Sequence, residues 1–196
     1  MKRLFDIIFS TIGLVALSPL LLSVALAIKL SDSGPIFYRG VRVGKGGKPF
    51  RMFKFRSMVV NADTIGGPST SGDDKRLTRI GIFLRKGKLD ELPQLIDVLR
   101  GTMSFVGPRP EVPHYINLLT QEEKNSILSV RPGITDYASL WNFNEAEILR
   151  GSADPEKTYQ EKIWPEKKRL QMKYIKEQSF RTDIAILLQT IKRLIT

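Results

Sequence analysis

The chain has no cysteine and a single histidine, His114, in 196 residues. The first absence removes disulfides, thiolate catalysis and thiolate metal sites, and the second removes any multi-histidine metal centre. A divalent ion held here has to be met by oxygen ligands, the chemistry of magnesium. Acid is also scarce: 20 Asp+Glu face 31 Lys+Arg, a formal charge of +11. That surplus points to anionic partners, whether phosphates, anionic lipid or nucleic acid. Internal repeats and low-complexity tracts are missing too. The length suits one domain with its own core.

What is there begins with a charge-free run, residues 7–28. As one helix its 22 residues would reach about 33 Å, enough to cross a bilayer. Three readings compete. Lys2-Arg3 and Ala25-Leu26-Ala27 hint at a cleaved signal peptide, although the run is long for one. A single spanning helix is the default. The third reading is a re-entrant helix broken at Ser18-Pro19, where proline removes a donor and the serine hydroxyl can serve freed carbonyls. Positive charge at both ends, Lys2-Arg3 before and Lys29 after, favours a segment that leaves by the side it entered. The expected division is residues 1–30 as anchor and 31–196 as the remaining domain.

Residues 29–58 hold eight Lys/Arg against one acid, Asp32. Ile36–Val43 and Phe50–Met58 read as a basic β-hairpin around a Gly/Lys-rich turn, with Phe53 and Phe55 on one face and Lys54 and Arg56 on the other. That basic face reads as solvated or facing lipid headgroups, with phosphate binding by Lys54 or Arg56 as the sharper alternative. Residues 61–76 read as a mobile polar loop, a candidate lid, and Asp73-Asp74 within it as no metal site.

The centre of the chain is Arg85 to Pro113. Leu92, Leu95, Ile96 and Leu99 recur at helical spacing, Pro93 fits a first turn and Gly101 a stop. Asp90 is then expected at or beside the N-cap, with Glu91 next to it. Such acids are ordinarily caps and dipole partners; the same helix start could also receive phosphate. A rigid Gly107-Pro108-Arg109-Pro110 turn follows, then a helix over 113–128 carrying His114 at the surface or in packing. A second rigid turn, Val130 to Thr135, presents Arg131. Tyr137–Phe143, with Trp141, reads as core or as a base-stacking wall, core being the first choice; 155–177 reads as a charged helix interrupted or restarted at Pro165, and Ser179 as the cap of a last helix. Its apolar stripe of Ile184, Leu187, Leu188, Ile191, Leu194 and Ile195 suits either a core or a lipid interface.

Taken together these stretches resemble the monotopic bacterial sugar transferases, the polyprenyl-phosphate phosphoglycosyl transferases. The likeness rests on Lys2-Arg3-Leu4-Phe5-Asp6, Ser18-Pro19, Gly34-Pro35-Ile36-Phe37, Lys54-Phe55-Arg56-Ser57-Met58 and Leu89-Asp90-Glu91-Leu92-Pro93-Gln94-Leu95. Met103 to Pro110 and Val130 to Thr135 complete it, covering nearly the whole chain. The resemblance implies an α+β, mostly helical protein, with a re-entrant membrane helix, a short basic hairpin and a small catalytic domain carrying interfacial amphipathic helices. It implies transfer of a sugar-1-phosphate from a UDP-sugar to polyprenyl (undecaprenyl) phosphate, at the cytosolic face of the bacterial inner membrane. UMP is released, and surface glycan assembly begins.

By the same resemblance Asp90 is the nucleophile and Glu91 a Mg2+ ligand, with Asp90 beside it at the metal. Arg109 belongs to phosphate, Arg85 and Arg131 to donor or nucleotide, and Lys54 and Arg56 are further candidates. The chemistry is coherent: a carboxylate can attack phosphorus, a cation can offset the repulsion of adjacent carboxylates, and arginine can pair bidentately with phosphate. Expected partners are donor, acceptor and membrane lipid, not nucleic acid; a homo-oligomer is left open. Charge and anchor alone also fit a non-catalytic tethered module that binds anionic lipid or nucleic acid. After Thr135 many members continue Gly-Trp-Ala-Gln, whereas this chain has Asp136-Tyr137-Ala138-Ser139. The segment 136–145 is therefore expected to touch sugar or base.

Overall fold

A computed structural model of the chain describes residues 1–195; Thr196, the end of the expected 31–196 domain, lies outside them. Two apolar helices come first, α1 (Lys2–Ala16) and α2 (Ser18–Ser31), bent by 61° between them. No single helix among the described residues is long and apolar enough to cross a membrane; this bent pair passes that test only when its two arms are taken together. The break falls at Leu17, one residue before the expected Ser18-Pro19, because Pro19 belongs to the first turn of α2, where its missing N–H has no partner to lose. Ser18 Oγ donates to the carbonyl of Val15 at 2.8 Å, serving a group the bend frees.

Both arms are packed onto the rest of the chain. α1 lies along α5 (Gln94–Arg100), and Val24 and Ile28 of α2 are buried with Phe55 and Leu84. The expected topological charges have structural work as well. Lys2 Nζ reaches Asp183 Oδ2 at 2.6 Å, the Tyr174 hydroxyl at 2.9 Å and the Val106 carbonyl at 2.8 Å. Arg3 donates to the carbonyls of Val98 and Leu99, satisfying the open end of α5. Asp6, buried, accepts from Ser104 Oγ and the Phe105 N–H.

The expected hairpin is present but divided. β1 (Phe37–Tyr38) pairs antiparallel with β4 (Lys54–Phe55), and β2 (Val41–Val43) with β3 (Pro49–Arg51), the turn carrying Gly46 and Gly47 at positive φ. Phe53 and Phe55, expected on one face, are both buried. The basic face is not free in solvent: Arg56 is buried against Asp32, and Lys54, partly buried, pairs with Glu91.

The loop 61–76 is more organised than its composition implied. It holds the short α3 (Ala62–Ile65), and the guanidinium of Arg76 pairs with Asp74 while donating to the carbonyls of Ala62, Gly67 and Ser69. One arginine that gathers three carbonyls is not visible in a Gly/Ser-rich stretch. α4 (Arg79–Lys86) follows, capped by Thr78. The expected single helix at 113–128 is two, α6 (Pro113–Asn117) and α7 (Gln121–Ile127), because Thr120 and Glu123 form a capping box that starts the second.

The two rigid turns share a feature the sequence did not announce. Ser104–Val106 (β5) and Gly133–Thr135 (β6) pair in parallel, with Ser104 opposite Gly133 and Val106 opposite Thr135. The Gly133 N–H donates to Pro108 O at 3.0 Å and the Gly107 N–H to Thr135 O at 3.1 Å. A Cβ on Gly133 would collide with the backbone of Gly107, and one on Gly107 with the carbonyl of Arg131. The glycines of both motifs are there to let two backbones touch.

Five helices complete the described chain: α8 (Tyr137–Trp141), α9 (Glu145–Ile148), α10 (Pro155–Thr158), α11 (Trp164–Glu177) and α12 (Phe180–Ile195). A π-helical turn at Tyr159–Ile163 precedes Pro165, the expected interruption. The main apolar core joins Tyr115, Leu119, Leu149, Tyr159, Ile163 and Trp164. Ala138 is buried but Trp141 is exposed, so only part of Tyr137–Phe143 is core. Along α12 the stripe divides similarly: Ile184 and Leu187 are partly buried, while Leu188, Ile191, Leu194 and Ile195 are exposed; the fully buried side chain of the helix is Ile186, outside the stripe. The whole is α+β and mostly helical.

Candidate functional site

Asp90 and Glu91 stand in a 3-10 turn, Leu89–Glu91, entered through Lys88 at φ 55°. The regular helix begins only at Gln94, with Pro93 as its cap, and ends at Gly101 with φ 84°. Asp90 is therefore four residues before the helix rather than at its N-cap. The turn tightens because Lys88 accepts from the Glu91 N–H and Leu89 from that of Leu92. This sends the two neighbouring carboxylates into one cavity of about 770 Å³, a size that suits a cofactor or nucleotide.

Their environments differ. Asp90 is 5% exposed and receives no hydrogen bond from the described residues. Burial raises its pKa above the ordinary carboxylate value, a rise opposed by the charge of Lys54 and reinforced by that of Glu91. Glu91 is also buried, but there the charges of Arg109 and Lys54 overcome burial and hold it well below its usual value. A single oxygen, Oε1, accepts from Lys54 Nζ at 2.8 Å and from Arg109 Nη2. Oε2 is engaged by neither. Two adjacent carboxylates thus adopt opposite tendencies, the reluctant ion at Asp90 and the fixed ion at Glu91.

Arg109 is held from several sides. Its N–H donates to Asp136 Oδ2 at 3.2 Å, its Nη1 to Ile134 O at 3.2 Å, and its carbonyl accepts from Gln171 Nε2 at 3.2 Å. The other oxygen of Asp136 caps α8 through Ser139 N and Oγ. Arg85 reaches the cavity from α4 and donates to Ser57 Oγ at 2.9 Å; burial lowers its pKa. Lys54 is likewise lowered by burial and by Arg109, with Glu91 and Asp90 opposing.

The structure therefore gathers Asp90, Glu91, Lys54, Arg85 and Arg109 around one cavity, with Arg56 at its wall but ion-paired to Asp32. Arg131 is not among them. It is exposed and donates to Gly101 O at 2.8 Å, tying its turn to the end of α5. Ser18 and Pro19 stand at the bend of the apolar pair, away from this cavity. His114 is exposed beside Tyr115 and Glu156. Sequence reasoning missed Asp136 as the bracket of Arg109, although Asp136 followed by Ser139 is legible as a helix cap. It also missed Ser57 as the partner of Arg85. No cluster of three or more His, Asp or Glu arranged for a metal occurs among the described residues.

The bacterial sugar transferase family matches residues 1–196, and the chain belongs to that family. Among curated relatives, a UDP-glucose:undecaprenyl-phosphate glucose-1-phosphate transferase of Xanthomonas campestris is 39% identical over 201 residues, 99% of this chain and 38% of that protein. A putative undecaprenyl-phosphate N-acetylgalactosaminyl 1-phosphate transferase of Bacillus subtilis is 45% identical over 134 residues, 68% of this chain and 70% of its own length. An uncharacterised sugar transferase of the same organism is 34% identical over 195 residues, covering 100% of this chain and 87% of itself. The chain spans about two fifths of the Xanthomonas relative and of an Escherichia coli one of like description.

Proposed function

We propose that the chain transfers a sugar-1-phosphate from a UDP-sugar to undecaprenyl phosphate, in two steps, with Asp90 as the nucleophile. The supporting observation is the Asp90 carboxylate itself. It is buried, receives no hydrogen bond from the described residues, and faces a nucleotide-sized cavity within reach of the charges of Lys54, Arg85 and Lys88. A carboxylate left unsolvated is a better nucleophile than one tied up in a network.

In the first step an Asp90 oxygen forms a bond to the sugar-bearing phosphorus, and the bond from that phosphorus to the UMP oxygen breaks. In the second step the undecaprenyl phosphate oxygen attacks the same phosphorus and Asp90 leaves as a carboxylate. Arg109 offers a planar fork to the phosphate oxygens, and its bracing by Asp136, Ile134 and Gln171 limits reorganisation as charge shifts. Arg85 and Lys54 add positive charge at the donor's diphosphate. Arg131, outside the cavity, serves the fold of its turn.

The donor set suits magnesium. Glu91 keeps Oε2 unengaged beside the Asp90 carboxylate, and magnesium typically takes one or two carboxylates with substrate phosphates and water. When bound, it supplies charge neutralisation at the diphosphate.

The bent α1–α2 pair, with Leu4, Leu22, Leu26 and Leu30 exposed, suits a re-entrant anchor in a bacterial membrane. The exposed leucines and isoleucines at the end of α12 suit the lipid interface. Residues 31–196 would then sit on the cytosolic face, where nucleotide sugars are found. Purified protein, magnesium and a panel of UDP-sugars without acceptor, followed by intact mass, test the two-step route. A phosphosugar adduct formed with UMP, and lost in Asp90→Asn, supports it. Turnover that needs acceptor and never yields an adduct overturns the covalent step.

A further inference from the structure

The cavity holds a second polar cluster that these steps leave unused. Lys167 on α11 is 7% exposed, and its Nζ lies 2.6 Å from Glu111 Oε1 and 3.8 Å from Glu145 Oε2 while donating to the Tyr159 hydroxyl at 2.8 Å. Burial pulls Lys167 down, but Glu111, Tyr159 and Glu145 together outweigh it and hold its pKa well above the usual lysine value. Glu111, Asn142, Glu145, Tyr159 and Lys167 all line the same cavity as the acid pair. Arg109 feels the charge of Glu91 in the first cluster and those of Glu145 and Glu111 in the second.

Asn142 is the informative member. Its Nδ2 donates to Glu145 Oε2 at 3.1 Å, which fixes the amide's orientation, since a carboxylate accepts and does not donate. Oδ1 is then left as an acceptor. It is buried, has no hydrogen-bond partner, and belongs to a side chain only 9% exposed. A buried carbonyl without a donor costs stability, and such positions call for an explanation. Here the wall it belongs to opens on the proposed donor cavity.

We infer that Asn142 and Glu145, backed by the Lys167–Glu111 pair, form the subsite that reads the hydroxyl or amide N–H groups of the donor's sugar. The inference rests on the transferase reading above. Its unengaged groups are acceptors: the buried Asn142 carbonyl and Glu145 Oε1, since Glu145 Oε2 already accepts from Asn142 Nδ2. A sugar ring presents a hydroxyl donor at nearly every carbon. The nucleoside side offers two ribose hydroxyls, but its uracil presents two carbonyl acceptors against one N–H, and those carbonyls would face carboxylates. The phosphorus attacked by Asp90 carries the sugar on one side and UMP on the other, so a phosphate seated on Arg109 brings one of them to this cluster. Acceptor chemistry selects the sugar.

The test uses the full chain and the variants Asn142→Ala, Asn142→Ser and Glu145→Gln. Each is assayed across a panel of UDP-sugars for kcat/KM, and with UMP as an inhibitor. The expected result is a loss of about tenfold in kcat/KM for the preferred donor, a change in the ratio between donors, and UMP inhibition unchanged. Glu145 is half-exposed, so its variant reads the subsite even where truncating Asn142 unfolds the protein. Weaker UMP inhibition with unaltered donor ratios would move the nucleoside here and overturn the assignment. Unaltered ratios and unaltered inhibition would make the cluster purely structural, which also overturns it. Calorimetry of UDP-sugar against UMP reads the same contrast without turnover. A binding advantage of UDP-sugar over UMP that disappears in Asn142→Ala upholds the subsite even if no transfer is found.

Discussion

Lys2 and Asp183, 181 residues apart, are joined by an ion pair of 2.6 Å that links the first turn of the apolar pair to the last helix. Asp183 is 8% exposed at its side chain and also accepts from the Tyr174 hydroxyl at 2.7 Å, whereas Lys2 is 41% exposed. Removing the lysine would leave a buried carboxylate short of its counter-ion. Lys2→Met is expected to cost about 2 kcal/mol, below the range for fully buried pairs because Lys2 is partly solvated. Urea denaturation in detergent or nanodisc, followed by tryptophan fluorescence, measures it. A loss under about 0.5 kcal/mol would mean the pair is ornamental.

Asp90→Asn should separate function from stability. Turnover should fall by at least about 10³-fold, as for other lost nucleophiles. The melting temperature should stay level or rise. Burial raises Asp90's folded pKa above its unfolded value, so the folded state prefers the neutral form, and asparagine supplies a neutral isostere. Circular dichroism melts at neutral pH check the sign.

The same shift sets the acid limb of the rate profile. Asp90 attacks as a carboxylate, so kcat/KM should decline with falling pH at values above the ordinary aspartate pKa of about 4. Glu91 contributes oppositely. Its folded pKa is well below the unfolded one, so its stabilisation is present above the unfolded value and is lost as pH falls through the folded one. A pH–rate profile with the acid limb at or below 4 would contradict the buried nucleophile.

Gly133→Ala is expected to destabilise by about 3 kcal/mol or to prevent folding, because the added methyl must enter the backbone of Gly107. The loss should appear as reduced folded yield, with residual activity in proportion to the folded fraction.

Much of this arrangement was legible and some was not, for physical reasons. The Asp90-Glu91 pair, Arg109 between prolines and the Ser18-Pro19 break are local patterns, and local patterns survive folding with small shifts of one to four residues. The β5–β6 pair was invisible because three-residue parallel strands carry no periodicity, and their pairing spans 29 positions of register between Ser104 and Gly133. Arg131 reads like Arg109 in sequence, since both sit in glycine-proline turns. The parallel pair points one into the cavity and the other out to Gly101. The Asn142–Glu145–Lys167–Glu111 set joins α9, α11 and a loop, so only tertiary contact could assemble it.

Arg109→Ala and Arg109→Lys should both depress kcat, by about 10²-fold or more for alanine, with lysine unable to restore the fork. Single-turnover kinetics with the preferred donor compares them. Lysine at wild-type rate would show that only charge is needed.

The clamp of Lys54 and Arg109 on one oxygen of Glu91 has a consequence for substrate entry. The Glu91 carboxylate holds the two cations that the proposed function assigns to phosphate. The cations are thus aligned before any donor arrives, and their mutual repulsion is already screened. On the proposed reading an incoming phosphate competes with Glu91 for these cations while that carboxylate stays in the site. A neutral sugar brings no charge to that competition, so the phosphate has to engage before any hydroxyl is read.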